Sequence, residues 1–300
     1  MFLDKIDPPP HQAKYSEDDV RSMKVRRQQL RTDWRTPIHP PESPGENWRI
    51  VLPFPNTYKN AFLSMCEVNA YAHEARGGRL CIFLNGTEGD DEPPSQVLDW
   101  IDIVREPVAM KDYLAISFAL DYEREGGNPE KEQTKIGALR AQAKPYGSNV
   151  ATAETKRAAE QLAQYCVEFL EKMTCYGSAD CVVAMPPSDP AKEYNLPRYL
   201  AKQIAAQLKL EDMTKYVTTV EARGSLKGLR LSDKLGALVG TVEVKPKVFA
   251  DRHVLIVDDL YQSGTSLNYC GYLLLKAGAE KIFGLACEKT CRNDDNVGRG

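Results

Sequence analysis

The chain has eight cysteines but no Cys-x-x-Cys pair. Cys66, Cys81, Cys166, Cys175, Cys181, Cys270, Cys287 and Cys291 are scattered, several of them inside apolar segments, as buried free thiols are. This pattern excludes a zinc ribbon and a disulfide framework, and it reads as a protein of the reducing cytoplasm. The four histidines, His11, His39, His73 and His253, show no metal-ligand spacing. No run approaches the roughly 18 apolar residues of a membrane helix, and Met1 to Gln12 offers no apolar stretch fit for secretion. Charge of one sign is also lacking: a net charge of -3 over 300 residues does not mark a whole-chain binder of nucleic acid or membrane surface. What is present is a 42% apolar share, enough for a real core in one large domain or two ordinary ones.

Residues 1–47 read as an extension interrupted by prolines from Pro8 to Pro44. Within it, Ser16 to Arg35 predicts a charged helix capped by Ser16, with Glu17, Asp18 and Asp19 at its positive end. The basic residues that follow, Arg21 to Arg35, suit a solvated face or a docking arm for an acidic partner or nucleic acid. Residues 48–125 predict a small α/β region. Its strands fall at Arg49–Phe54, Leu80–Leu84 and Leu114–Tyr122. One helical face carries Ala61, Phe62, Met65, Val68, Asn69 and Ala72, ended by Gly77 and Gly78, and a second helix is capped by Ser95. Glu123 to Glu132 reads as a linker. A helix over 153–173 follows, then a strand at Cys181–Met185, a helix through Leu196 and Leu208, a strand at Val254–Val257, a helix over 266–277 closed by Gly278, and a strand at Ile282–Cys287. Helix alternating with strand predicts an α/β fold with an open, mostly parallel sheet flanked by helices.

The chemistry is concentrated in Val254-Leu255-Ile256-Val257-Asp258-Asp259-Leu260-Tyr261-Gln262-Ser263-Gly264-Thr265-Ser266. Four apolar residues make a buried strand with two carboxylates at its C-terminal end, where ligands of open α/β sheets bind. The loop behind it leads into a helix N-terminus, which offers unpaired N–H groups and positive dipole to an anion. Gly264 allows close backbone approach, and Ser263, Thr265 and Ser266 add hydroxyls. Asp258 and Asp259 suit the vicinal hydroxyls of a sugar. A phosphate and a diol at that separation describe a ribose 5-phosphate. A Walker loop needs Gly-Lys-Ser/Thr, which is absent. A nucleophile elbow around Ser263 needs glycines where Tyr261 and Thr265 stand. The plainest alternative is a strand–turn–helix with a polar turn.

The segment resembles the phosphoribosyl-diphosphate signature of type I phosphoribosyltransferases: four apolar residues, two acidic, two variable, then Thr/Ser-Gly-x-Thr/Ser. Gln262 stands where a small hydroxylated residue is often found. Upstream, the chain is similar to the ComF-like branch through Lys144-Pro145-Tyr146-Gly147, through a Pro-containing loop Met185-Pro186-Pro187-Ser188-Asp189, and through Asn195 and Arg198 at a helix start. A basic loop from Arg223 to Lys234 follows. The zinc ribbon usual in that branch is missing, and the match spans roughly residues 132–292.

The resemblance implies a protein that binds phosphoribosyl diphosphate, or a nucleoside monophosphate, together with Mg²⁺. Asp258 and Asp259 would face the ribose and, indirectly, the metal; Gln262, Ser263, Gly264, Thr265 and Ser266 the 5-phosphate; Pro187 and Ser188 the diphosphate. Arg223 and Lys227, with Arg230 and Lys234, would close over the leaving group. The plainer readings stand beside these: a strand end at Pro186-Pro187, a solvated loop at 223–234, a solvent-facing Lys144. The base pocket is expected from Glu288–Arg292, from 48–125, or from a partner subunit of a homodimer. Three functions follow: a transferase with an unidentified nitrogenous acceptor, a non-catalytic sensor of phosphoribosyl diphosphate or a nucleotide, and a ComF-like DNA-processing accessory protein.

Overall fold

A computed structural model describes residues 11–30, 37–54, 56–75, 79–145, 150–226 and 228–291. Ser16 does cap a helix, α1 (Glu17–Ser22): its hydroxyl accepts from the Asp19 amide while the Asp19 carboxylate accepts from the Ser16 amide. The helix is far shorter than the charged segment predicts. Met23 is extended, and β1 (Arg26–Gln28) follows as an edge strand. Val20, Met23, Val25 and Leu30 are all buried, and the residues after Met23 pair with β6 (Val108–Lys111) instead of continuing the helix. The N-terminal segment is therefore docked on the protein over its described residues.

Next come β2 (Ile38–His39), β3 (Arg49–Leu52), α2 (Thr57–Met65), β4 (Ala70–Ala75), β5 (Arg79–Leu84) and α3 (Ser95–Val104). The four strands form an antiparallel sheet in the order β2-β3-β5-β4. Ile50, Leu52, Ile82 and Leu84 are buried in the same apolar core as Tyr58, Phe62 and Trp100 of α2 and α3. Phe62 meets Trp100 edge to face at 5.2 Å. The expected helix through Ala72 stops at Met65, because Ala70–Ala75 pairs with β5 instead; Tyr71 lies opposite Phe83 and their rings stack at 4.9 Å. Gly77 and Gly78 lie outside the described residues. Ser95 is the first helical residue, with Pro94 at the cap position.

The chain continues through β6 (Val108–Lys111), β7 (Ile116–Tyr122), α4 (Lys135–Gln142), α5 (Ala153–Lys172), β8 (Cys181–Ala184), α6 (Leu196–Leu208), β9 (Glu211–Asp212), β10 (Val217–Thr219), α7 (Leu231–Gly236), β11 (Val242–Val244), β12 (His253–Tyr261), α8 (Thr265–Lys276) and β13 (Lys281–Lys289). The central sheet has the order β1-β6-β7-β13-β12-β8-β9. Neighbours from β7 to β9 are parallel, and β1 and β6 add an antiparallel edge. This is the open, mostly parallel sheet that the alternation of elements predicts. β10 and β11 form a separate two-stranded ribbon.

Strand alternation divides the core. Leu255, Val257, Phe283 and Leu285 cluster with α5 and α6, whereas Val254, Ile256, Ile282 and Ala286 cluster with α8 and Val20 of α1. β7 pairs in parallel with β13, Phe118 opposite Leu285. The last two strands of the 48–125 region thus belong to the central sheet, and Arg124, in the 123–132 segment read as a linker, forms a bridge with Gln133 just beyond it. Ile116 to Leu120 are all buried, as befits a strand covered on both faces; such a run does not reveal which sheet it joins. All eight cysteines are free thiols. Among the described residues no helix is long and apolar enough to cross a membrane.

Candidate functional site

β12 runs beyond the apolar quartet and carries Asp258 and Asp259 within the strand. At its end Gly264 adopts φ 78°, and a Cβ at that position would collide with the Tyr261 hydroxyl. Only glycine fits this turn, which lays the first turn of α8 directly beyond the strand. The hydroxyls of Ser263 and Thr265 lie 3.0 Å apart. A pocket of about 200 Å³ opens over the loop, lined by Gln262, Ser263, Gly264 and Ser266 together with Leu226 and Lys234. Thr265 is buried and does not line it. Lys234, expected on a solvated or closing loop, is 1% exposed and forms part of the pocket wall.

A larger cleft of about 520 Å³ shares Lys144, Asp258, Asp259 and Ser266 with that pocket. Its other wall is Met185 to Ser188, so Pro187 and Ser188 face the acidic pair, and Lys192, Tyr194 and Asn195 complete it. The wall is tied to the segment that follows β10: the Thr219 hydroxyl donates to the Pro187 carbonyl, and the Arg223 amide donates to the Ser188 carbonyl at 2.9 Å. This tether brings the Arg223 side chain into the cleft, where its buried Nε has no hydrogen-bond partner among the described residues. Burial lowers the Arg223 pKa and the negative charge of Asp258 opposes that shift. Arg230 is exposed. Lys227, Tyr146 and Gly147 lie outside the described residues. Asn195 caps α6, accepting from the Arg198 amide at 2.9 Å.

The two aspartates are not equivalent. Asp259 accepts from Arg140 Nε at 2.8 Å and lies 2.5 Å from Lys144 Nζ. Burial would push its carboxyl up, but Lys144 and Arg140 outweigh burial and hold it below the ordinary value. Asp258 has its carboxyl raised by burial and by the charge of Asp259. The pair therefore holds one fixed negative charge and one carboxyl that exchanges its proton readily. Arg140 also donates to Glu288 at 2.9 Å, and burial pushes Glu288 up to about 7. Glu288 is thus a buried partner of Arg140 and is not displayed as a base-binding edge; Arg292 lies outside the described residues.

Arg140 is the contributor that the motif alone does not announce. Its only trace in the sequence is a position one turn before Lys144. Tyr194, whose buried hydroxyl lacks a partner among the described residues, carries no signal at all. No cluster of three or more His, Cys, Asp or Glu is placed to hold a metal among the described residues.

Residues 198–292, about a third of the chain, match the family model of the phosphoribosyl transferase domain. That stretch contains β12, the 262–264 loop, α8 and β13. Solved structures similar to the chain include an HPRT with asparagine in place of an invariant aspartic acid. It shows 11% identity and a TM-score of 0.27 over 50% of this chain and 65% of that one. A hypoxanthine phosphoribosyltransferase mutant from Trypanosoma cruzi, in a ternary substrate complex, shows 10% identity and a TM-score of 0.27 over 50% and 67%. The Staphylococcus aureus hypoxanthine phosphoribosyltransferase shows 13% identity and a TM-score of 0.26 over 44% and 73%. At those scores the fold and the site rest on the topology and geometry of the chain itself. No curated protein matches.

Proposed function

We propose that this protein binds phosphoribosyl diphosphate with Mg²⁺ and transfers the phosphoribosyl group to a nitrogenous acceptor, releasing diphosphate. One observation carries the reading. A helix-N-terminal loop and a Pro-rich wall with a half-buried arginine line two adjoining pockets that share the acidic pair, beyond the ends of parallel strands. In this reading Gln262 to Ser266 hold the 5-phosphate, with Lys234 in the lining of the same pocket. Asp258 takes the ribose hydroxyls. Pro187, Ser188 and Arg223 face the diphosphate.

In the reaction a nitrogen lone pair of the acceptor forms a bond to ribose C1. The bond from C1 to the diphosphate oxygen breaks with its electron pair, and the acceptor gives up a proton to balance the charge. Positive charge develops at C1. Asp259 stays ionised but is already neutralised by Lys144 and Arg140, and Arg223 favours the departing diphosphate. Positioning and exclusion of water are the remaining tasks.

Mg²⁺ fits this donor set in a limited way. Asp259 is occupied by two cations, so Asp258 is the carboxylate available to it, directly or through water. Such an ion would sit mainly on ligand oxygens, as Mg²⁺ with retained waters does, and would neutralise charge on the diphosphate.

Diphosphate release from phosphoribosyl diphosphate over a panel of bases tests the reading. Activity that is lost in Asp258→Asn supports it. Absence of calorimetric binding of phosphoribosyl diphosphate and of every nucleoside monophosphate refutes it. A second reading, a non-catalytic sensor of the same ligand, is favoured by the pairing of Asp259 with Arg140 and Lys144. Saturable binding without turnover for any base would select it. The ComF-like affinity belongs to the same proposal, since it draws on Pro186, Pro187 and Asn195.

A further inference from the structure

A half-buried carboxylate from outside the family-matched stretch lies beside the 262–264 loop. Asp112 stands in the turn between β6 and β7. Its Oδ2 accepts from the Tyr261 hydroxyl at 2.7 Å, the Ser117 hydroxyl at 2.8 Å and the Asn268 amide at 3.2 Å, while Oδ1 accepts from the Leu114 amide at 3.0 Å. Two of these donors belong to the loop and its helix. Tyr261 is the last strand residue before the loop, and its ring fills the space that a side chain at Gly264 would need. Asn268 lies in the first turn of α8, where its Nδ2 also donates to the Gly264 carbonyl at 3.0 Å. The same side chain accepts from the Tyr113 amide at 3.0 Å. Asp112 is thus connected to both ends of the turn.

The N-terminal segment closes this cluster from behind. The Tyr15 hydroxyl donates to the Asn268 carbonyl at 2.8 Å, and its ring stacks on Tyr113 with centroids 5.1 Å apart. Gln12 donates to the Tyr113 carbonyl at 2.8 Å and accepts from the Ile282 amide at 3.0 Å.

A buried carboxylate is costly unless its oxygens are satisfied. Here four donors satisfy it. We infer that Asp112 is the positioning residue of the phosphate loop, fixing through Tyr261 and Asn268 the direction in which the 262–266 backbone meets a phosphate monoester. The inference rests on the phosphate reading of that loop. It also gives the 11–25 segment a role: it is the backing of the ligand site.

The test is calorimetry on the full chain, comparing ribose 5-phosphate with inorganic diphosphate in the presence of Mg²⁺, for the wild type, Asp112→Asn and Tyr261→Phe. Both variants should lose about tenfold or more in affinity for ribose 5-phosphate, with diphosphate affinity kept. Tyr261→Phe removes one hydroxyl and keeps the ring, so it decides the matter if Asp112→Asn does not fold. Variants that bind ribose 5-phosphate as the wild type does overturn the inference and leave the loop reading standing. Equal weakening of both ligands also overturns it, as general damage. A wild-type protein that binds no ribose 5-phosphate overturns the loop reading itself.

Discussion

Arg140 and Asp259, 119 residues apart in the chain, form a buried ion pair with Nε 2.8 Å from Oδ2. The same guanidinium reaches Glu288 on the neighbouring strand, so one cation from α4 holds two carboxylates on adjacent strands of the sheet. Removing it leaves both acids beside Lys144, whose ammonium pairs with Asp259.

Arg140→Gln should therefore destabilise the fold by about 3–5 kcal/mol, the range for breaking a buried ion pair from one side. Urea unfolding measures this. A loss below about 1 kcal/mol would mean that the pair behaves as a solvent-exposed one.

Gly264→Ala forces a side chain into the Tyr261 hydroxyl at a positive φ. A cost of about 1–3 kcal/mol in stability is expected, together with loss of ribose 5-phosphate binding by calorimetry. Binding that survives would show that the loop accommodates the methyl by moving Tyr261.

Lys234→Met keeps the side-chain volume and removes a charge from the lining of the pocket over the loop. Affinity for ribose 5-phosphate should fall by about tenfold to a hundredfold, as for a lost charged hydrogen bond. The dependence of affinity on salt should flatten. Unchanged affinity would place the phosphate elsewhere.

Stability should also vary with pH. Burial raises Glu288 to about 7 and Asp121 to about 6. In the unfolded chain both titrate near pH 4. The folded state holds these protons more tightly, so the stability they contribute is fully present below about pH 4 and is lost as pH rises through about 6–7. The melting temperature should decline between pH 5 and 8, and less steeply in Glu288→Gln. An identical decline in that variant would assign the effect to other groups.

The motif reading and the structure agree where the chemistry is local. Val254 to Ser266 is a strand, a turn and a helix start because four apolar residues, two acids and a glycine leave the backbone few alternatives. Ser16 and Gly278 likewise mark helix ends through their own geometry, a capping hydroxyl in one case and φ 103° in the other. Ala70–Ala75 is different. Its residues suit a helical face as well as a strand, and only pairing with Leu80 to Leu84 decides between them. The charged segment after Ser22 is decided in the same way, by the edge that β6 offers to β1.

The sequence by itself determined the strand–turn–helix at 254–266, its acids and the parallel character of the sheet, because these depend on residues adjacent in the chain or on the repeat of strand and helix. Tertiary structure alone decided which charge each acid meets: Arg140 and Lys144 for Asp259, Arg223 for Asp258, and Asp112 for the loop itself. Those partners come from separate segments. A charge's effect depends on distance through space and on burial, and neither is written in the spacing of residues along the chain.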